Sequence, residues 1–214
     1  MSYIGSKPAN KPVVASDIDP TMITGQTALA VAPAATDEFL ISDAGVLKRL
    51  DASLIESAAM TEVDQWRLTT DLSCSTANTN TTVTANLERN DTAGFDKIGT
   101  GMSESSGIFT FPSTGVWRVE VLFYFYSSSG GSAYNALNIW TTLDDSSYTQ
   151  QTDVSVSTST APKRNVGYGT TLFDVTDASN CKVKFMYYCE GTLNLQGDST
   201  KNETHFVFSK LANT

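Results

Sequence analysis

The stretch GIFTFPSTGVWRVEVLFYFY, residues 107–126, alternates apolar side chains with the period of two that indicates a β-strand. Pro112 predicts the end of one strand, and Gly115 predicts a tight turn into the next. From Trp117 onward every second side chain is apolar and is expected on one face: Trp117, Val119, Val121, Phe123 and Phe125. The opposite face, formed by Arg118, Glu120, Leu122, Tyr124 and Tyr126, is only partly polar. Such a two-sided strand is typical of one that a neighbouring subunit covers.

Strand patterns continue on both sides of this stretch, from about Val63 to the C-terminus. Turn signals such as Asn90-Asp91 and Ser129-Gly130-Gly131 separate them. The chain shows no alternation of strands with helices and no repeat of solenoid length. About eight to ten short strands at this spacing predict an all-β sandwich. The predicted strands cover residues 66–68, 83–87, 108–110, 116–126, 136–143, 154–157, 168–175, 183–189, 193–195 and 205–211.

Residues 1–36 differ in composition from the rest of the chain. They hold four of the six prolines, almost no aromatic residues and no helical or strand period. Such a segment cannot bury enough apolar surface to fold alone, so we predict an extended arm that lies against a partner chain.

A short hairpin is predicted next, within residues 37–56. Two short apolar runs flank the Gly-containing turn Asp43-Ala44-Gly45. Asp51 or Ser53 is then expected to cap a short helix that continues to about Ala59. A lone hairpin is marginally stable in water and needs a neighbour.

The segment LISDAGVLKRLDAS, residues 40–53, resembles a short module near the N-termini of tail-fibre and other structural proteins of tailed bacteriophages, often written LISDAGxLKRxxxS. The resemblance implies a virion protein that is anchored by residues 1–62, while residues 63–214 form a separate domain. The side chains expected to attach it to another virion structural protein are Ile4, Pro12, Val13, Ile18, Phe39, Ile41 and Leu47.

Three segments of the second part resemble the C1q/TNF-like jelly-roll family. Residues 107–117 resemble the family segment G-x-F-x-x-P-x-x-G-x-Y, with Trp117 in place of Tyr. Residues 183–193 resemble its V-x-L…G-x-L strand pair, and residues 204–211 its closing strand, although Val207 and Phe208 replace a small position. The resemblance implies a jelly roll that forms a homotrimer around aromatic-rich strands, and it transfers no ligand. The residues expected at the trimer interface are Trp117, Phe123, Tyr124, Phe125, Tyr126, Phe185 and Tyr187.

Composition argues against several other functions. A formal net charge of −9 repels nucleic-acid phosphates, so no nucleic-acid partner is expected. No apolar run is long enough for membrane insertion, and the N-terminal residues show no secretory signal, so synthesis in the host cytoplasm is expected. The single histidine, His205, has no accompanying nucleophile motif. Cys74, Cys181 and Cys189 are expected to be reduced, buried small hydrophobes, and no metal or cofactor is expected.

Tyr134, Tyr148 and Tyr168 flank stretches rich in Ser, Asn and Gly. Tyrosine among small polar residues is common in recognition surfaces, because it offers a large contact area at low entropy cost. The alternative is that these rings cover the core or the trimer seam.

Taken together, these patterns favour a non-enzymatic virion protein of a tailed phage. The expected role is a trimeric fibre-like protein that presents its jelly roll to a host-surface glycan or protein. A capsid decoration or head-fibre protein, and a stand-alone trimeric lectin-like module, remain alternatives. An enzyme ranks third.

Overall fold

The computed structural model describes residues 27, 31–44, 46–55, 60–91, 96–128, 132–158 and 162–214, and for Leu47 the backbone alone. The predicted arm lies outside these residues except for Thr27 and residues 31–36, as do the attachment candidates Ile4, Pro12, Val13 and Ile18. The chain forms two compact units, Met1–Ala58 and Ala59–Thr214.

The first unit contains the predicted hairpin, which is confirmed. Strand β1 (Glu38–Asp43) pairs antiparallel with β2 (Val46–Asp51), and two ion pairs, Lys48–Asp43 and Arg49–Glu38, join the strands. The carboxylate of Asp51 accepts from the Ser53 backbone N–H at 2.9 Å and so caps a 3₁₀ helix, Ala52–Leu54.

The helix expected to reach Ala59 is shorter than predicted. It ends after one turn because Ile55 is extended, with φ −86° and ψ 97°. The Ser53 hydroxyl also donates to the Asp51 carboxylate, a local bond that competes with continued helix. Residues 56–59 lie outside the described part of the chain.

The second unit is a β-sandwich, as the strand patterns predict. Its described residues form fourteen further strands: β3 (Val63–Leu68), β4 (Leu72–Cys74), β5 (Thr81–Thr82), β6 (Leu87–Arg89), β7 (Ser103–Ser105), β8 (Ile108–Thr110), β9 (Gly115–Ser127), β10 (Asn135–Thr142), β11 (Thr149–Gln150), β12 (Ser155–Val156), β13 (Lys163–Val175), β14 (Lys182–Cys189), β15 (Leu193–Leu195) and β16 (His205–Ala212).

These strands build two seven-stranded antiparallel sheets. The first sheet has the order β11-β10-β14-β8-β7, with β12 beside β10 and β5 beside β14. The second has the order β4-β15-β9-β16-β3-β6, with β13 beside β9. Strands β9 and β13 pair over thirteen residues, from Gly115↔Val175 to Ser127↔Lys163. The long alternating stretch of the sequence therefore forms an interior strand of the second sheet.

The strand predicted over residues 83–87 is absent, because the chain crosses there from one sheet to the other. β5 pairs with β14 in the first sheet, whereas β6 pairs with β3 in the second. Asn86 has φ +61°, a left-handed conformation that interrupts an extended strand. Val83 is nevertheless buried, and its N–H donates to the Phe185 carbonyl at 2.9 Å. The alternation in this segment reflects burial without continuous sheet pairing.

The core lies between the two sheets and is dominated by aromatic rings. Phe185 of the first sheet packs on Phe206 of the second, with ring centroids 4.2 Å apart, and Phe109 packs on Phe208 at 5.1 Å. Aromatic pairs in these geometries stabilise a core beyond the area they bury.

All three cysteines are buried and free, as expected for small hydrophobes. A hydrogen bond with Cys74, together with burial, raises the pKa of the Cys189 thiol. Thiols with raised pKa values are poor nucleophiles at neutral pH.

A buried ion pair holds the edge strand β6 against β3. The Asp64 carboxylate, 1% exposed, accepts from the Arg89 guanidinium at 3.0 Å, from the Trp66 indole N–H at 2.9 Å and from the Met102 N–H at 2.7 Å. Arg89 also lies over the Trp66 ring at 4.8 Å. Because the buried charge is fully partnered, this network stabilises one register of β3 and β6.

Candidate functional site: the outer face of the second sheet

Five of the seven residues expected at a trimer interface lie inside the sandwich. Trp117, Phe123, Phe125, Phe185 and Tyr187 are at most 5% exposed. The two sheets of one chain cover the aromatic sides of β9 and β14, so no second chain can reach these rings. Their assignment to an interface is corrected: they are core residues.

The remaining two, Tyr124 and Tyr126, lie on the opposite side of β9. They belong to what we call the outer face, the side of the second sheet that points away from the core. Its apolar members are Leu122, Tyr124 and Tyr126 of β9, Val166, Tyr168 and Leu172 of β13, and Val207 of β16. Val166, Tyr168 and Leu172 are 52%, 53% and 64% exposed.

Two ion pairs join charged side chains of the outer face within the chain. Arg118 contacts Glu120 at 3.0 Å, and Arg164 contacts Glu203 at 2.9 Å. The Arg164 guanidinium also stacks 4.2 Å from the Tyr124 ring. With these charges neutralised, the face presents apolar groups and internally satisfied ion pairs. Such a face loses little on desolvation against a complementary surface.

The sequence analysis did not identify Val166 and Leu172 as residues of an exposed apolar face. The reason is that the inward-facing positions of β13 include two glycines. Gly167 and Gly169 face the core between Val166, Tyr168 and Thr170. A Cβ at Gly167 would lie 2.2 Å from the Phe123 ring, so the neighbouring strand fills that space. Residues 166–172 do alternate larger and small side chains. That alternation is the sequence signal that could have identified the face, with the larger side chains pointing outward.

Two titratable groups on the outer face have shifted pKa values. The hydrogen bond from the Tyr168 hydroxyl to Glu120 raises the pKa of Tyr168, and burial adds to the shift. Burial lowers the pKa of His205, which faces Leu122 and whose Nδ1 lies 3.2 Å from the Glu203 carbonyl oxygen. The histidine is therefore held neutral near pH 7, and in the described part of the chain no nucleophilic side chain is among its hydrogen-bond partners.

The three candidate recognition tyrosines do not share one surface. Tyr168 lies on the outer face of the second sheet, whereas Tyr134 and Tyr148 flank opposite ends of β10 in the first. Tyr134 packs edge-on against Tyr188 at 5.4 Å and donates to Asp153 at 2.8 Å. Burial, followed by this bond, raises the pKa of Tyr134 to about 12. A single three-tyrosine site is therefore absent from the described structure.

Of the attachment candidates, three fall in the hairpin. Phe39 is 39% exposed, Ile41 is half-buried, and the side chain of Leu47 is outside the described structure. Leu40 and Val46 are also exposed, at 69% and 57%. The hairpin thus has apolar side chains available to a partner.

No group of three or more His, Cys, Asp or Glu side chains in the described ranges is arranged to hold a metal ion. Within those same ranges, no helix has the length and apolar character needed to cross a membrane.

The two antiparallel sheets have a TNF-like jelly-roll fold, as comparison with solved structures shows. Among solved structures, murine APRIL at pH 5.0 matches with 13% identity and a TM-score of 0.51, over 70% of this chain and 98% of that one. Eiger TNF from S. frugiperda matches with 11% identity and a TM-score of 0.53, over 73% and 96%. The PRD1 vertex protein P5 matches with 13% identity and a TM-score of 0.45, over 72% and 99%.

No protein-family model matches the sequence, and no curated protein matches it either. The likenesses to murine APRIL and Eiger TNF lie far below the identity at which activity can be transferred, so they show the fold alone. They indicate no catalytic family.

Proposed function

We propose that this protein is a structural protein of a tailed-phage virion, and that it is a homotrimer. In this proposal residues 1–60 attach the protein to another virion component, and the jelly roll projects as a fibre-like head that contacts a host surface. The observation that carries the proposal is the outer face of the second sheet, which is apolar and exposed in the single chain.

Self-association is supported by the composition of that face. Leu122 lies between Tyr168 of β13 and His205 of β16, and Tyr124 lies beside Val166. These side chains form a continuous apolar band across three neighbouring strands. A band of this kind on a chain that also resembles a trimeric family favours burial against copies of itself.

Attachment through the N-terminal part is supported by the hairpin and its sequence. The segment LISDAGVLKR, which resembles the phage structural module, forms the hairpin itself. Exposed apolar residues on a two-stranded hairpin are unfavourable in water and are stabilised by a partner. A location at the surface of a virion follows from this attachment.

The trimer is tested by Leu172→Asp. Leu172 is 64% exposed in one chain, so an aspartate there leaves the monomer fold intact but places a charge in the proposed interface. We expect the wild type to have the mass of three chains by light scattering and the variant to dissociate at micromolar concentration.

Leu143→Asp is the matched control. Leu143 is also 64% exposed, but it lies beyond the end of β10 in the first sheet and outside the proposed interface. The Leu143→Asp variant should remain trimeric. A wild-type protein that is monomeric at high concentration would overturn the proposal, as would a Leu172→Asp variant that associates as strongly as Leu143→Asp.

A further inference from the structure

A second cluster lies on the outer side of the first sheet, away from the proposed trimer face. Trp140 of β10 and Lys184 of β14 are directly opposite each other in the antiparallel register. Side chains in such positions are nearest neighbours on one face of a sheet. The Lys184 amine lies 4.0 Å from the centre of the Tyr148 ring, which the turn before β11 brings over the strand.

Two polar atoms in this cluster are buried without a hydrogen-bond partner. They are the indole N–H of Trp140 and the hydroxyl of Tyr148, neither of which makes a hydrogen bond within the described residues. Lys184 forms no ion pair with a carboxylate in the described part of the chain. Burial lowers the pKa of its amine. A buried donor without an acceptor is costly, and two neighbouring ones beside a lysine without a carboxylate partner need a common explanation.

The charges and donors of the cluster specify the chemistry of a ligand. An ammonium and an indole N–H can only donate hydrogen bonds, and a tyrosine hydroxyl can donate one. Such a set suits an oxyanion, and charge-assisted bonds to a carboxylate are the strongest it can form. Trp140 is only partly buried, so its ring also offers an apolar surface beside these donors.

We propose that Lys184, Trp140 and Tyr148 form a binding site for the carboxylate of an acidic sugar. Lys184 supplies the positive charge, Trp140 and Tyr148 supply donors, and the exposed part of the Trp140 ring contacts the sugar. In a protein of net charge −9, a local cluster of donors is needed to hold an anion against the overall repulsion.

The carboxylate of Asp145 lies near Tyr148, and its negative charge would repel a bound anion. Its charge, after burial, is a cause of the raised pKa of Tyr148. Its backbone N–H is bonded to the Asn180 carbonyl at 2.9 Å, and its side chain is exposed to solvent. Water screens an exposed charge more than a buried one, which weakens the repulsion that Asp145 exerts on an anion at this place.

The site would give the recognition role proposed above a specific ligand. Its biological role rests on that proposed function, whereas binding itself does not. The first sheet remains accessible when the outer face of the second is covered by subunits. Binding is measured on the full chain irrespective of oligomeric state. Failure of the sugar test and failure of the trimer test are therefore separate results.

The test uses the indole N–H signals of the ¹⁵N-labelled full-length protein. The chain has three tryptophans, and Trp140→Phe identifies the signal of Trp140. Trp66 donates to Asp64 at 2.9 Å and Trp117 donates to the Ser113 carbonyl at 3.2 Å, so both report on the fold and act as internal controls. The probe is glucuronate, with glucose and acetate as matched neutral-sugar and sugar-free controls.

We expect glucuronate to shift the Trp140 signal in a saturable way, with a dissociation constant of roughly 1–10 mM, as is reasonable for a single small ligand. Glucose should give no shift, and acetate should bind more weakly than glucuronate. Lys184→Gln should weaken glucuronate binding by about tenfold or more. Lys182→Gln, on the same strand and face, should weaken it less than about twofold.

The proposal is overturned if glucuronate leaves the Trp140 signal unmoved, or if glucose moves it equally. Equal shifts of all three indole signals would also overturn it, because they indicate non-specific binding. Acetate binding as tight as glucuronate binding would exclude the sugar contact. If Lys184→Gln disturbs the Trp66 or Trp117 signals, Tyr148→Phe replaces it, with a loss of affinity again expected.

Discussion

Two glycines explain how β13 can be apolar on its outer side and still pack tightly on its inner side. Gly167 and Gly169 lie on the inward face of a thirteen-residue strand. The Phe123 ring occupies the space that a side chain at Gly167 would need. The absence of a side chain therefore shapes the core here as much as the aromatic residues do.

Gly167→Ala should destabilise the jelly roll by about 1–3 kcal/mol, because the new methyl group would lie 2.2 Å from Phe123 in a core with no room to relax. Urea denaturation monitored by fluorescence measures the loss. Gly191→Ala is the control, since the nearest atom to its Cβ is 3.8 Å away on Ser132, an ordinary contact. Equal stability of the two variants would show that Phe123 is free to move.

His205 makes stability depend on pH in a defined direction. Burial lowers its pKa from the usual 6.5, whereas the smaller effects of the Glu203 carbonyl and the Glu120 charge raise it. As the pH falls through 6.5 the unfolded chain takes up a proton that the folded chain resists. Acid therefore favours unfolding, and the stabilising contribution is fully present only above this value.

We expect the urea midpoint of the wild-type protein to decrease as the pH is lowered from 7.5 to 5.5. In His205→Gln the decrease should be smaller. The comparison is direct because the chain has one histidine. If both proteins lose stability in parallel over this interval, the dependence arises from carboxylates and the histidine is not responsible.

At the scale of elements, strand length decided what could be predicted. The long strands β9, β13, β14 and β16 contain enough alternating residues to be recognised. Strands β4, β7 and β11 have only two or three residues and were missed. Such short strands have no period of their own. They form because a neighbouring strand presents free backbone donors and acceptors at the right place.

At the crossing between β5 and β6, the sequence pattern predicted a strand that the structure does not contain. Val83 and Leu87 face apolar surroundings, so the segment alternates like a strand, yet the left-handed Asn86 carries the chain to the other sheet. The Asn86 amide donates to the carbonyls of Thr70 and Asp71 at 3.3 Å each, which holds this crossing against the neighbouring loop. A local period cannot distinguish one continuous strand from two pieces in different sheets.

For the molecule as a whole, the hydrophobic core formed by the described residues lies entirely within the second unit, Ala59–Thr214. The hairpin of the first unit has no buried side chain among those described. The two parts therefore have different sources of stability: a packed aromatic core in one and, in the attachment proposed above, contact with a partner in the other.

A truncated chain that begins at Thr61 should be soluble and should unfold cooperatively, with a melting temperature close to that of the full chain. It should fail to join the virion, because the proposed attachment lies in residues 1–60. Calorimetry measures the first outcome, and occupancy on purified particles in cryo-electron microscopy measures the second. Incorporation of the truncated chain at wild-type occupancy would move the attachment surface into the jelly roll.

Local sequence patterns predict the all-β class, the hairpin and which side chains of β9 share a face, because a period of two and turn chemistry are local properties. Which apolar faces are covered depends on how the two sheets pack. Phe123 and Phe185 look equally suited to a core or an interface in sequence, and the packing of two sheets within one chain makes them core. In the same way, pairing across β10 and β14 brings Trp140 and Lys184 together, although they are far apart in sequence. Burial and juxtaposition depend on non-local pairing, which no local pattern encodes.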